Sequence, residues 1–473
     1  MPDRTIDLLE IECGTVAAPA GCGKTHLIAE TLKRHSGPKP ILVLTHTNAG
    51  VAALRERLNK ADVSSRAYRL STIDGWAMRL IGMFPKRSAS DPTILKLGNP
   101  QTDYPTIRNA AWKLLQAGHI QELLKASYAR LIVDEYQDCS IPQHAIIYCA
   151  APALPTCLLG DPMQAIFGWQ GNTLADWNEH VCKHFPLVGE LDVPWRWRNA
   201  GKEDFGQWLL DARRKLQNGQ PINLLTAPEE ITWVDLDGTE DRVRQLKAAQ
   251  TKAPTQNGGV LIIGNSRSPP SQQLYASQIP GAVTVEAVDL RDLVQFARTL
   301  DFRAEDALQS VINFAASVMT GVGATDLLRR VDILERGAER RAASDVERAA
   351  MAFNIERSPR ATVNLLVEIG QEGGVRAHRP AVLRACIKAL QGCNGAEGNT
   401  FHDTAVRSRE QNRLLGRPLP KRAVGSTLLL KGLEADVSVI LDANDLDARN
   451  LYVAMTRGSH RLIICSHGST LRR

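Results

Sequence analysis

The sequence predicts an α/β protein built from two lobes, each interrupted by a helical insertion. A glycine-rich turn ending in Gly-Lys-Thr, at residues 18–25, lies between a strand-like and a helix-like segment. Strand-like and helix-like segments alternate up to about residue 80, and strand-like segments return near the end of the chain after a long helical stretch. This alternation is typical of parallel sheets covered by helices.

Changes in composition along the chain predict the boundaries of the two lobes and their insertions. We assign residues 1–80 and 127–190 to the first lobe and residues 81–126, which contain four prolines, to a small insertion. The second lobe comprises residues 191–289 and 416–473, and residues 290–415 form a helical insertion without strand signals. Strands of the second lobe are expected near residues 231, 260–263, 427–430, 437–441 and 462–465.

Composition also limits the classes of function. The chain of 473 residues has a formal net charge of +6, which suits a protein that is able to bind a polyanion. Its nine cysteines form no Cys-x-x-Cys pair, so buried thiols in a reducing compartment are favoured over a metal site. No secretion signal opens the sequence and no apolar run approaches 18 residues. We therefore expect a cytoplasmic protein without membrane contact.

The glycine-rich turn at residues 18–25, called the P-loop below, has the residue types that a triphosphate requires. Glycine permits positive φ angles and close approach of the backbone to an anion. Lys24 would reach the β- and γ-phosphates, and the Thr25 hydroxyl would bind Mg²⁺. A tight strand-to-helix turn without a ligand is the alternative. The backbone groups that would face the phosphates belong to Ala20, Gly21, Cys22 and Gly23.

Two adjacent acids follow the short apolar run at residues 131–133. At the C-terminal end of a parallel strand beside the P-loop, Asp134 can hold Mg²⁺ and Glu135 can polarise the attacking water. Taken alone, such a pair is more often a solvated turn. Together with the P-loop, it predicts hydrolysis of a nucleoside triphosphate.

With four further segments, these two motifs make the chain resemble superfamily 1 helicases of the UvrD/PcrA/Rep type. The additional segments are residues 159–171, 191–196, 431–434 and 451–457, and all six motifs follow the order of that family. The resemblance implies two RecA-like P-loop NTPase lobes with ATP and Mg²⁺ as cofactors. It also implies DNA-stimulated ATP hydrolysis and movement on single-stranded DNA from 3′ to 5′.

The resemblance assigns further residues to the nucleotide. Gln164 would sense the γ-phosphate, and Arg457 and Arg196 would stabilise charge on the transferring phosphoryl group. A surface salt bridge is the alternative for each arginine. Trp195 stands where the family has a tyrosine that stacks on adenine. The remaining nucleotide-binding assignments are Gly432 and Glu434.

DNA contacts are expected from aromatic and loop residues, because bases stack on aromatic rings irrespective of sequence. The resemblance implies that Trp169 stacks on a base, and Trp76 matches a phenylalanine that lines the same channel. A core position is the alternative for both tryptophans. Thr47, Asn48 and Ser426 would contact phosphates of single-stranded or partly duplex DNA.

Two functions remain open from the sequence. In the first, the chain is an ATP-dependent DNA translocase and helicase. In the second, it is a nucleotide-gated DNA-sensing or regulatory subunit that does not unwind DNA on its own. Compact chains of this build resemble the helicase subunits of anti-phage systems such as Gabija, which act with a nuclease partner. Both functions need the same ATP-binding residues.

Overall fold

The structure is a computed structural model that describes residues 6–168, 172–338, 341–393, 399–414 and 420–472, without the side chains of residues 410–414. The described chain divides into two compact units. The first contains the residues up to Ile231, Leu446–His460 and those from Thr470 onward, and the second contains Thr232–Asp445 and Arg461–Ser469. Residues 191–231 and 446–460, which the sequence analysis assigned to the second lobe, therefore group with the first unit.

A six-stranded sheet forms the centre of the first unit. Its strands are β1 (Cys13–Ala17), β2 (Ile41–Thr45), β3 (Tyr68–Thr72), β4 (Leu131–Val133), β5 (Thr156–Gly160) and β6 (Leu187–Glu190). They lie in the order β3-β2-β4-β5-β1-β6, and every neighbouring pair is parallel. The carboxyl ends of all six strands therefore lie at one edge, where ligands bind in open α/β sheets.

A second six-stranded sheet contains β8 (Ile231–Asp235), β9 (Val260–Ile263), β10 (Val283–Thr284), β13 (Arg422–Gly425), β14 (Ala435–Ile440) and β15 (Gly458–Ser466). These strands lie in the order β10-β13-β9-β14-β15-β8. The remaining strands, β7 (Ile222–Asn223) with β16 (Thr470–Leu471) and β11 (Met319–Thr320) with β12 (Arg376–Ala377), form two short antiparallel pairs. The α/β fold class with two sheets is confirmed.

Nineteen α-helices are present in the described chain. The first eight are α1 (Lys24–Arg34), α2 (Asn48–Lys60), α3 (Ile73–Met83), α4 (Pro100–Gln116), α5 (Gln121–Ser127), α6 (Ile141–Ala150), α7 (Trp195–Asn199) and α8 (Glu203–Gln217). The next nine are α9 (Asp241–Ala249), α10 (Pro269–Gln278), α11 (Arg291–Thr299), α12 (Ala307–Val318), α13 (Ala324–Glu335), α14 (Asp345–Glu356), α15 (Pro359–Gln371), α16 (Pro380–Gly392) and α17 (Phe401–Leu414). The last two are α18 (Thr427–Leu430) and α19 (Ala448–Met455).

The apolar strand β2 shows how the first sheet acquires a core on both faces. All five of its residues are buried, as expected for a parallel strand covered on both sides. Because successive side chains point to opposite faces, Leu42 and Leu44 pack in the cluster of α3, α4 and α6, whereas Ile41 and Val43 pack in the cluster of α1 and α2. The small insertion therefore shares the first unit's core.

The long insertion has a core of its own within the second unit. Buried residues of α11 to α17, including Leu293, Val311, Phe353 and Leu365, form one hydrophobic cluster. A separate cluster covers the second sheet and includes Ile262 and Val439. Among the described residues, no helix has both the length and the apolar character needed to cross a bilayer.

The prediction of a strand at residues 427–430 is wrong. The strand β13 ends at Gly425, and the apolar residues that follow form the short helix α18. Ser426 explains the change, because its hydroxyl accepts a hydrogen bond from the Leu429 N–H at 3.3 Å and caps the helix. A run of three leucines does not by itself distinguish a strand from a helical turn.

Candidate nucleotide and nucleic-acid site

The P-loop joins β1 to α1 at the carboxyl edge of the first sheet. Gly21 and Gly23 have φ angles of 73° and 88°, in the left-handed region that favours glycine. A Cβ atom at Gly21 would lie 2.5 Å from Cζ3 of Trp197, and one at Gly23 would lie 2.9 Å from Cδ1 of Trp195. Both positions therefore require glycine for space as well as for conformation. Helix α1 begins at Lys24, so the last two residues of the P-loop form its N-terminus.

Lys24 lies between the two predicted catalytic acids. Its Nζ atom is 3.0 Å from Oδ1 of Asp134, and it also forms an ion pair with Glu135. Burial disfavours the ammonium form, but the charges of Asp134 and Glu135 outweigh it and raise the pKa of Lys24. Burial raises the pKa of the Asp134 carboxyl, and the Lys24 ammonium opposes that rise. The structure thus brings the P-loop cation and both acids into direct contact.

Glu135 has an unusual backbone conformation. Its φ angle is 55°, which is uncommon for a residue other than glycine, and its N–H donates to Oδ1 of Asp134 at 2.9 Å. Its Oε2 atom accepts a hydrogen bond from Nε2 of Gln137 at 2.6 Å. Strained backbone held by surrounding contacts is common at catalytic positions.

The two residues predicted to bind Mg²⁺ supply oxygen ligands of the type that this ion prefers. Asp134 is buried at the end of β4, and the Thr25 hydroxyl accepts a hydrogen bond from Nη1 of Arg57 at 3.0 Å. Thr25 follows Lys24 in the chain, and Lys24 contacts Asp134. By the chemistry of their oxygen atoms, the two side chains fit the ion.

Gln164 lies beside this cluster in a short 3-10 helix after β5. Its Nε2 atom donates to Oδ2 of Asp161 at 3.1 Å, and the Asp161 N–H donates to Oε1 of Gln137 at 3.1 Å. Oδ1 of Asp161 accepts from Nε of Arg213, in α8, at 3.0 Å. A buried polar network therefore joins the predicted sensor glutamine to the residue that contacts Glu135.

Both predicted arginines lie in the first unit and converge on Thr456. Nη1 of Arg196 donates to the Thr456 carbonyl oxygen at 2.7 Å. Arg457 is 3% exposed; its Nη2 donates to the Thr456 hydroxyl at 2.9 Å and its Nε donates to the Val453 carbonyl oxygen at 2.8 Å. The Arg196 N–H also donates to the Gly21 carbonyl oxygen at 3.0 Å, which connects this group to the P-loop.

Trp195 has the exposure that base stacking needs. It is 44% exposed, next to Gly23, and the guanidinium carbon of Arg198 lies 5.1 Å from its ring centroid. Trp197 is 1% exposed and donates from Nε1 to the Gly458 carbonyl oxygen at 2.9 Å. One tryptophan therefore faces solvent beside the P-loop, and the other supports the loop from within.

The predicted phosphate-contacting residues Thr47 and Asn48 lie where β2 meets α2. The Thr47 hydroxyl caps α2 by accepting from the Gly50 N–H at 3.0 Å, and Asn48 is exposed at the helix N-terminus. The rings of His46 and Phe167 lie beside this turn, with centroids 5.8 Å apart. Trp169 lies outside the described residues.

Trp76 is enclosed in the first unit. It is 1% exposed and packs with the cluster that α3, α4 and α6 form. An enclosed indole has no face available for a base. The structure thus gives Trp76 the core position that the sequence left open, instead of the expected place in the DNA channel.

Three predicted residues, Ser426, Gly432 and Glu434, lie in the second unit between β13 and β14. Ser426 is 6% exposed, and its hydroxyl caps α18. Gly432 has a φ angle of 80° with open space around it, and Glu434 is exposed.

Sequence reasoning missed three residues of the site. Trp197 and Tyr452 lie in or next to recognised motifs, yet their types alone do not reveal that they support the P-loop. The Tyr452 hydroxyl accepts a hydrogen bond from the Ala20 N–H at 3.1 Å. The sequence did not indicate a role for Arg213, because a cation near the end of a helix is usually solvated.

Comparison with known proteins adds an independent result. Two segments, residues 12–99 and 95–180, match the family profile of the UvrD/REP helicase N-terminal domain. They include β1 to β5 and the small insertion. Among curated proteins, none matches the sequence.

Solved structures with detectable similarity include two helicases. Arterivirus nonstructural protein 10 (helicase), in complex with DNA, is 12% identical over 53% of this chain and 47% of its own, with a TM-score of 0.28. The Pif1 helicase from Candida albicans is 14% identical over 58% of this chain and 52% of its own, with a TM-score of 0.31. The chain thus matches about half the length of each.

Proposed function

We propose, on the premise that residues 12–180 form a UvrD/REP helicase N-terminal domain, that this chain is a DNA-stimulated ATPase that translocates on single-stranded DNA. The contact of Lys24 with both Asp134 and Glu135 carries the proposal. A P-loop lysine beside two acids at a strand end supplies the groups that P-loop NTPases use for the phosphates, for Mg²⁺ and for the attacking water.

Each group in the cluster has a defined task in this reaction. Lys24 neutralises charge on the phosphates, and the N–H groups at the start of α1 provide further positive potential. Glu135 accepts the proton of the attacking water, and Gln137 holds the carboxylate of Glu135 in place. Mg²⁺, held by Thr25 and Asp134, would neutralise charge on the phosphate oxygens. Trp195 offers its exposed face to the base.

Arg196 and Arg457 supply the remaining positive charge in our proposal. Arg457 is already hydrogen-bonded along α19 and to Thr456, so its direction is fixed before the substrate arrives. A cation with a fixed direction stabilises charge in the transition state without reorganisation. We propose both arginines as phosphate-contacting residues.

DNA would bind along the loops that follow β2 and β5. His46 and Phe167 supply rings, Thr47 and Asn48 supply hydrogen-bond donors, and Trp169 remains a predicted stacking residue. Aromatic rings contact bases irrespective of sequence, whereas hydroxyl, amide and backbone groups contact phosphates. Single-stranded and partly duplex DNA are therefore the proposed partners, with movement from 3′ to 5′ as the resemblance implies.

A strand-displacement assay tests the helicase function. Duplexes with a 3′ or a 5′ single-stranded tail are incubated with ATP and the protein, with the Glu135→Gln variant as the blank. We expect displacement of the 3′-tailed duplex alone. Faster displacement of the 5′-tailed duplex would contradict the proposed polarity. DNA-stimulated hydrolysis without displacement of either duplex would favour the alternative function, a DNA-sensing subunit that acts with a nuclease.

A further inference from the structure

The buried ion pair of Asp161 and Arg213 lies beside the nucleotide cluster. The Arg213 side chain is 4% exposed and that of Asp161 is fully buried. Nη1 of Arg213 also donates to Oε1 of Glu190 at 2.7 Å. A buried guanidinium is destabilising unless an opposite charge lies nearby and its N–H groups have hydrogen-bond acceptors. Here the carboxylates of Asp161 and Glu190 supply both.

The two carboxylate oxygens of Asp161 accept hydrogen bonds from different partners. Oδ1 accepts from Arg213 and from the Met163 N–H, and Oδ2 accepts from Nε2 of Gln164 at 3.1 Å. A carboxylate ion accepts hydrogen bonds and donates none. The amide of Gln164 must therefore present its NH₂ group to Asp161, which turns its carbonyl oxygen the other way.

The backbone of Asp161 extends the same network to the catalytic acid. Its N–H donates to Oε1 of Gln137, so the NH₂ group of Gln137 faces Oε2 of Glu135. The space is tight, since a Cβ at Gly160 would lie 2.7 Å from Oε1 of Gln137. Asp161 thus orients two glutamines, one through its side chain and one through its backbone.

We propose that Arg213 is a positioning residue for ATP hydrolysis, which balances the charge of Asp161 and thereby fixes the amide orientation of Gln164 and the place of Gln137 against Glu135. This inference rests on the proposed ATPase activity. Without the guanidinium, the buried Asp161 carboxylate loses its charge partner, and we expect it to turn away from the site. That movement removes the acceptor for Gln164.

The first test compares steady-state ATP hydrolysis by the parent, Arg213→Met and Arg214→Met. Arg214 is a matched control because it is next in α8 but 59% exposed. We expect kcat of Arg213→Met to fall about tenfold with KM for ATP changed by less than about twofold, since the positioned groups act in the transition state. Arg214→Met should match the parent. Arg213→Lys, which restores the charge, should recover most of the loss.

A double variant separates positioning from folding. Arg213→Met combined with Asp161→Asn leaves no buried unpaired charge at this place, because the remaining carboxylate, that of Glu190, is 48% exposed. The double variant therefore serves even if Arg213→Met does not fold. If Arg213 acts through Asp161, kcat of the double variant is no lower than that of Asp161→Asn alone. Losses that multiply, or a higher KM with kcat unchanged in Arg213→Met, would overturn the inference. A parent without hydrolysis would instead contradict the proposed function.

Discussion

Replacement of Gly21 by alanine tests how the P-loop is supported. The φ angle of 73° places the new side chain in the left-handed region, which costs roughly 1–2 kcal/mol for a residue with a Cβ atom. That Cβ would also lie 2.5 Å from Cζ3 of Trp197. Trp197 is buried and hydrogen-bonded to Gly458, so its ring has little freedom to move, and overpacking of this kind adds about 1–3 kcal/mol. The expected total is about 2–5 kcal/mol.

Gly201→Ala provides the matched control. Gly201 has a φ angle of 69°, yet no heavy atom of the described residues, apart from Gly201 and its chain neighbours, lies within 4 Å of the position that its Cβ would take. The control therefore measures only the cost of placing an alanine at a positive φ angle, without the cost of overpacking. The difference between the two variants isolates the contact with Trp197, and we expect it to be about 1–3 kcal/mol.

Equilibrium urea unfolding provides the measurement, with both variants compared to the parent at the same denaturant concentration. In the Gly21→Ala background, Trp197→Phe should cost less than it does in the parent, because the smaller ring relieves the contact. A Gly21→Ala variant within about 0.5 kcal/mol of Gly201→Ala would refute the reasoning, since surface substitutions vary by that much.

Three further predictions follow from the same cluster and its surroundings. Lys24→Ala should lower kcat for ATP more than about a hundredfold, whereas Lys33→Ala, an exposed control in the same helix, should match the parent in the same steady-state assay. Trp195→Ala should raise KM for ATP about tenfold and Trp195→Tyr should retain the parental value; equal effects would argue against stacking. Burial lowers the pKa of His144 from 6.5 to about 4. Between pH 6.5 and pH 4, His144 is therefore protonated in the unfolded chain but largely neutral in the folded chain. Stability should therefore decline from pH 6.5 toward pH 4, and the urea midpoint should drop less between pH 7 and pH 5 in His144→Gln than in the parent.

The sequence predicts best where the chemistry depends on residue type and order. The P-loop glycines, Lys24 and the acid pair were all identified from local pattern, and the structure brings them together because β1 and β4 end at the same edge of a parallel sheet. The strand β2 also agrees with the local pattern, because a short apolar run such as residues 41–44 between turn signals is consistent with a buried strand.

Other features depend on contacts between distant parts of the chain, which a single sequence does not encode. Trp76 and Trp195 are the same residue type, yet one fills a core and the other faces solvent. Arg213 is an ordinary helix cation until the fold places it against Asp161, which lies 52 positions away. The helix at residues 427–430 differs from the sequence prediction for a local reason, because Ser426 caps it and an apolar pattern does not reveal a cap.

Our main proposal is that nucleic acid stimulates ATP hydrolysis at the cluster of Lys24, Asp134 and Glu135. ATP hydrolysis should be measured without nucleic acid, with single-stranded DNA and with RNA of the same sequence, using Glu135→Gln as the blank. We expect DNA to stimulate hydrolysis by the parent at least about tenfold and the variant to stay inactive under all three conditions. Hydrolysis that is unaffected by DNA, or that survives in Glu135→Gln, would contradict it.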